Sequence, residues 1–181
     1  MTGFGRTGKM FAFEHWNVVP DILVMAKALG GGMPLGAFIG RPEIMKTLSV
    51  DPPLSHVTTF GGHPVSCAAG LAALDVLFKE DLAGQAAKRG RRLAEGLKKI
   101  AADGGVREVR GKGLLVGLEF ERPDLTHRFV LACREAGLLL GWTLHSDSVV
   151  RLAPPLIISQ RELDRGLQII RKALKKAVGG E

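Results

Sequence analysis

From residue 82 onward the apolar positions fall into clean periods. Leu82, Ala86, Leu93, Leu97 and Ile100 share one stripe with basic residues opposite, which predicts a helix over 82–101 ended by Gly104-Gly105. Val106 to Arg110 and Leu114 to Phe120 read as strands around the turn Gly111-Lys112-Gly113. A second helical stripe holds Leu125, Phe129, Ala132 and Ala136, followed by strands over Leu138–Trp142 and Val149–Leu152, the latter stopped by Pro154-Pro155. The last helix places Leu163, Leu167, Ile170 and Leu174 on one face, and its terminal cations suit the negative end of the helix dipole. The order β-β-α-β-β-α describes an α+β domain with its sheet backed by helices.

The first hundred residues are patterned differently. Ile22 to Ala26 is a short unbroken apolar run, delivering Lys27 into Gly30-Gly31-Gly32, and Leu35 to Gly40 is a second strand. Met10–Trp16 predicts a short helix, Pro42–Leu48 a helical turn, and residues 49–63 an irregular stretch. Pro64 to Lys79 is apolar nearly all round, the mark of a buried helix. That helix has too little partner surface here. The expectation is the end of a larger sheet domain over residues 1–103 and a small α+β domain over 104–181, with the boundary between 101 and 106.

Composition narrows the function. Hydrophobic and charged contents of 46% and 24% are ordinary for a globular protein. The 25 Lys+Arg against 18 Asp+Glu give +7, but the cations concentrate on helical faces over 88–99 and 161–176. With no Tyr and no aromatics among them, the platforms on which bases stack are missing, so nucleic-acid binding is not expected. Cys67 and Cys133 lack a CxxC pattern and read as small buried hydrophobes in a reducing compartment. No run reaches membrane-spanning length and no signal-like start is seen, so a cytoplasmic protein without membrane attachment is expected.

Four places could carry chemistry. Lys27 falls just past the carboxyl end of a strand, where open α/β sheets bind ligands, and an amine withdrawn from water becomes a usable nucleophile; it could equally be a solvated lysine. His56-Val-Thr-Thr-Phe-Gly-Gly-His-Pro64 sets Thr58 and Thr59 ahead of a helix N-terminus, either as a phosphate site or as a polar capping loop. His56 and His63 have no carboxylate or thiol nearby, so a zinc site is rejected. Arg151 inside an apolar strand needs a partner, either a structural acid or a bound carboxylate that the planar guanidinium can grip twice. Arg110-Gly-Lys-Gly113 is read as a hairpin turn.

Taken together, Thr-Gly-Phe-Gly-Arg-Thr-Gly at 2–8, Pro-Asp-Ile-Leu-Val-Met-Ala-Lys-Ala-Leu-Gly-Gly-Gly at 20–32, His-Val-Thr-Thr-Phe-Gly-Gly-His-Pro at 56–64, Arg-Gly-Lys-Gly-Leu at 110–114 and Arg-Leu-Ala-Pro-Pro-Leu at 151–156 resemble the class III aminotransferases. These are the ornithine, acetylornithine and 4-aminobutyrate group of fold type I pyridoxal-phosphate enzymes. The resemblance implies an α/β fold type I architecture, with Lys27 as the Schiff-base lysine and Thr59 on the phosphate of pyridoxal 5'-phosphate in the neighbouring subunit. It places Thr58 near the substrate and Arg151 on the substrate α-carboxylate. It further implies amino transfer from an ornithine- or acetylornithine-type donor to 2-oxoglutarate, in a homodimer or in a pairing with a missing N-terminal half. His63 stands where the family usually has Asn. An acidic pair expected just ahead of Thr2, which supplies the pyridinium partner, is not in the sequence. The chain is therefore expected to be a C-terminal portion with little activity by itself. A glutamate-semialdehyde mutase or decarboxylase of the same fold, or a non-catalytic subunit or assembly fragment, are the alternatives.

Overall fold

The computed structural model describes residues 1–53, 55–143 and 146–179, and packing divides the chain into two compact units. One is Met1–Gly5 with Lys9–Asp81, the other Arg6–Gly8 with Leu82–Glu181.

The first unit runs through a 3₁₀ turn Ala12–His15, strand β1 (Ile22–Met25), a second 3₁₀ turn Lys27–Gly30, strand β2 (Ala37–Gly40), helix α1 (Pro42–Val50) and helix α2 (Pro64–Lys79). β1 and β2 pair antiparallel, Ile22 opposite Gly40 and Met25 opposite Ala37. Both strands alternate exposed and half-buried residues, and neither face of the pair is fully covered. The predicted buried helix is present with the expected ends but is not buried. α2 encloses only Ser66, Gly70 and Leu77 and leaves Val65, Leu71, Val76 and Phe78 in solvent. Its main neighbour is the turn Lys27–Gly30, too small to cover an all-round apolar helix. The opening glycine-rich stretch is ordered: Phe4 is buried and meets Phe11 edge-on at 5.6 Å.

The second unit comprises α3 (Leu82–Ala101), β3 (Val106–Lys112), β4 (Leu115–Phe120), α4 (Pro123–Glu135), β5 (Gly141–Thr143), β6 (Ser146–Leu152) and α5 (Gln160–Gly179). Its strands form one antiparallel sheet in the order β3-β4-β6-β5. Val116, Leu118 and Phe120 of β4 and Val150 and Leu152 of β6 face the helices, and with the stripes of α3, α4 and α5 they make one core. Phe120 and Phe129 pack at 4.9 Å within it. Burying such a side chain stabilises by about 2–3 kcal/mol.

Several boundaries differ from the sequence reading. The β3–β4 turn sits at Gly113-Leu114, because β3 pairs as far as Lys112 opposite Leu115. β5 begins at Gly141, so Leu138–Leu140 precede the strand. Ala136 is the exposed C-cap of α4, and Val130 and Cys133 take the core positions instead. Cys67 is only partly buried. Packing groups α3 with the second unit, because its apolar stripe lies on β3 and α5.

Candidate active site

Lys27 follows the end of β1, as its sequence context predicts. Its backbone is left-handed (φ 56°), a conformation that costs a non-glycine residue about 1–3 kcal/mol. The side chain is exposed rather than enclosed in an apolar pocket. Among the described residues it makes no ion pair or hydrogen bond. The Met1 amine is held below its ordinary range by burial first and then by the charge of Lys27.

The glycines after Lys27 have a nearer task than approaching a ligand. Gly31 is left-handed (φ 58°), and a Cβ there would lie 2.5 Å from the Ala69 carbonyl oxygen of α2; a Cβ at Gly70 would lie 2.8 Å from the Leu29 carbonyl oxygen. The turn is thus pressed backbone to backbone on α2, which fixes the base of Lys27. Only Gly32 (φ 104°) faces open space.

Thr58 and Thr59 lie in the loop that leads into α2, both exposed. Two tight turns shape it: the Gly61 N–H donates to the Thr58 carbonyl at 3.2 Å, and the His63 N–H to the Phe60 carbonyl at 3.2 Å. Neither threonine hydroxyl has a partner among the described residues, and the N-cap of α2, His63, makes no side-chain capping bond. Unspent hydroxyls beside an uncapped helix start suit an anion. No hydrogen bond joins these threonines to Lys27 among the described residues, although all three belong to the first unit. His56 stacks edge-on against Phe38 at 4.8 Å, and His63 leans on Phe60. Among the described residues no group of three His, Cys, Asp or Glu could hold a metal ion.

Arg151 belongs to the second unit, on the sheet face opposite Val150 and Leu152, and is half-buried. Its partners in register are Gly117 on β4 and Gly141 on β5. Glycine on both sides of Arg151 brings no side chain of its own, and beside Gly117 the nearest side chains are those of Val149 and Arg110. One residue further, Arg110 on β3 is opposite Gly117 and is paired with Glu108 at 2.7 Å and with Glu119. The hydrogen bond from Arg110 is the main cause holding the Glu119 carboxyl below its ordinary range.

The sequence profile described as aminotransferase class-III matches residues 1–174. The chain belongs to the class-III aminotransferase family. It superposes on an ornithine aminotransferase of Plasmodium yoelii with a TM-score of 0.88 at 38% identity, over 97% of this chain and 46% of that one. An acetylornithine aminotransferase of Elizabethkingia anophelis gives 0.86 and 39%, over 97% of this chain and 44% of the other. An ornithine aminotransferase of Toxoplasma gondii, described with pyridoxal phosphate at partial occupancy in its active site, gives 0.90 and 34%, over 99% and 42%. The chain therefore spans less than half the length of these relatives, and its mixed α/β fold is the matching part of theirs.

Class-III aminotransferases depend on pyridoxal phosphate, and the donor set here fits two ends of that molecule. An exposed amine without an ion pair suits the aldehyde, and two unspent hydroxyls before a helix suit the phosphate. Among the described residues no helix is long and apolar enough to cross a membrane.

Two arginines escaped the sequence reading. Arg6 and Arg89 each reach into the segment after Arg151, donating to the carbonyls of Pro154 and Leu156. The signal was available in Pro154-Pro155, which lacks N–H groups and leaves carbonyls in need of donors.

Proposed function

We propose that the chain is the part of a transaminase that carries its reactive lysine and its substrate carboxylate arginine. Lys27 Nζ would hold the aldehyde end of pyridoxal phosphate, and Thr59 would hold the phosphate, by the family resemblance that of a neighbouring subunit. Thr58 stands near the substrate and Arg151 binds its α-carboxylate with two parallel bonds. When bound, the coenzyme supplies the electron sink that lets a carbon–hydrogen bond beside nitrogen ionise. Lys27 Nζ would take the proton from the substrate α-carbon and, as the ammonium, give it back as the acid.

The observation that carries this reading is the family match over residues 1–174 with an uncommitted lysine at the end of β1. The donor is of the ornithine or acetylornithine type, as the names of two of the matched structures suggest, and the acceptor is 2-oxoglutarate, as the family resemblance implies. In that assignment residues 1–103 close a large coenzyme-binding domain, with α3 as the connecting helix, and 104–181 form the small domain.

Titrating pyridoxal phosphate into the purified chain and recording its absorbance tests the central step. A red-shifted band that Lys27→Ala abolishes is the expected result; the same band in the variant would remove Lys27 from its role.

A second reading rests on the exposed apolar residues of the first unit, Val24, Phe60, Leu71 and Phe78 among them. They favour a chain that works only in an assembly, with little turnover alone. Transamination by the purified chain at ordinary family rates would overturn it.

A further inference from the structure

β6 ends at Arg151-Leu152, and the chain continues as Ala153-Pro154-Pro155-Leu156 toward the cap of α5. Two successive prolines offer no N–H, so this segment cannot extend a strand ladder, and its carbonyls must find donors elsewhere. Arginines from remote parts of the sequence provide them. Arg6 Nη1 donates to the Pro154 carbonyl and, at 3.2 Å, to the Leu114 carbonyl. Arg89 Nη1, from α3, donates to the Leu156 carbonyl at 2.5 Å. Neither guanidinium forms an ion pair among the described residues. Half-burial without a countercharge is unfavourable for a cation, and it pushes the Arg6 pKa down. A surface loop needing only solvent would not call for it.

Arg6 is itself held on both sides. The Leu114 N–H donates to the Arg6 carbonyl at 2.9 Å. Gly113, left-handed at φ 54°, approaches so closely that a Cβ there would sit 2.4 Å from the Thr7 carbonyl carbon, and a Cβ at Gly8 would meet that of Ala87 at 2.9 Å. Thr7 between them is 6% exposed. The short piece Arg6–Gly8 is therefore wedged between α3 and the β3–β4 turn, where it makes a fixed base for the Arg6 side chain.

We infer that Arg6 and Arg89 are positioning residues, a two-point clamp on the proline segment that fixes the end of β6 and so aims Arg151 at a substrate carboxylate. This rests on the assignment of Arg151 proposed above. The clamp acts through carbonyls, so a side chain with fewer charged donors weakens it in proportion, and lysine partly replaces arginine at position 6.

Two measurements on the full chain separate the clamp from the assignment. Amide exchange at Ile158, whose N–H donates to the Pro155 carbonyl at 3.0 Å, reads the order of the segment. Glutarate, a dicarboxylate needing no coenzyme, is titrated while the amides of Val150, Arg151 and Leu152 are followed by NMR. Arg6→Met and Arg89→Met should each speed Ile158 exchange and weaken glutarate by about tenfold, the effect of losing one charge-assisted bond. Exchange at Leu118 should stay slow, showing that the core is intact, and Arg6→Lys should recover part of both losses. Arg151→Gln should abolish glutarate binding with Ile158 unchanged. Unchanged Ile158 exchange in both methionine variants overturns the clamp, as does faster exchange with undiminished glutarate affinity, which would make the arginines merely structural. Glutarate binding that survives Arg151→Gln overturns the Arg151 assignment instead. No binding by the unsubstituted chain overturns both.

Discussion

The two units spend similar amounts of apolar sequence to opposite effect. In the second, α3, β4, α4, β6 and α5 close over one another until Phe120, Phe129, Leu97 and Leu174 are almost wholly removed from water. In the first, Phe4 and Leu77 are the hydrophobic residues buried among those described, while Val19, Val24, Phe60 and Leu71 are each more than 60% exposed. Both faces of the β1–β2 pair are apolar, a pattern that belongs to strands covered on both sides. Two strands alone are marginal in water. The comparison teaches that apolar pattern records how a segment is meant to be covered, while stability comes only from the surface present to cover it. The residues proposed to carry the chemistry are divided unevenly, with Lys27, Thr58 and Thr59 on the unit without a core and Arg151 on the unit with one.

The largest consequence is in local stability. Hydrogen exchange on the full chain should show amides of β4 and β6 protected by several orders of magnitude more than those of β1 and β2, because protection tracks the local opening free energy. Equal protection in the two sheets would break the comparison outright. The same contrast should appear on mutation. Phe129→Ala, within the core, should cost about 3–5 kcal/mol in denaturant unfolding, whereas Phe60→Ser, at 77% exposure, should stay within about 0.5 kcal/mol.

How far the sequence foretold this differs between the units for the same reason. Stripes such as Leu82, Ala86, Leu93, Leu97 and Ile100 were legible because their partners lie in the same unit, and all five are buried. The limits of α2 were legible from Pro64 and the run of apolar residues, but not its exposure, since periodicity reports the demand for burial and not its supply. Lys27 stood out by its place after an apolar run ahead of glycines; that Gly31 serves the packing of α2 was not legible, because the close approach to Ala69 is a long-range fact. Arg6 lies in a glycine-rich stretch with no hydrophobic period to mark it. Its segment joins the second unit by backbone contact with Gly113 and Ala87, and no local pattern announces such a pairing.

A finer test uses glycine, which helices normally lose with profit. Gly166 in α5 has open space where a Cβ would go, so Gly166→Ala should stabilise by about 0.5–1 kcal/mol. Gly90 in α3 should reverse the sign. A Cβ there would lie 2.2 Å from the Gly113 carbonyl oxygen, and backbone that cannot step aside turns the gain into a loss of about 1–3 kcal/mol. Equal shifts in melting temperature for the two alanine variants would show that α3 and the β3–β4 turn are less tightly seated than the second unit requires.

The smallest effect sharpens the comparison at the edge of the cored unit. Ser159 caps α5 in a reciprocal box: the Ser159 N–H and hydroxyl donate to Glu162 Oε2 at 2.8 and 2.6 Å, and the Glu162 N–H donates to Ser159 Oγ at 3.2 Å. The serine hydroxyl first, then its N–H, holds the Glu162 carboxyl below its ordinary value. A group whose pKa falls on folding stabilises fully above its unfolded pKa, and that contribution is lost as pH drops through the folded value. Stability should therefore decline through the acid limb with a component from this box. Glu162→Gln removes the titrating group, so the gap between wild type and variant should narrow as pH falls below the glutamate range. The carboxylate is exposed, so the gap should be modest and reduced by salt. Urea midpoints for both proteins across the acid range provide the check; a gap that widens toward low pH would mean that the carboxyl is not held by Ser159 in the folded chain.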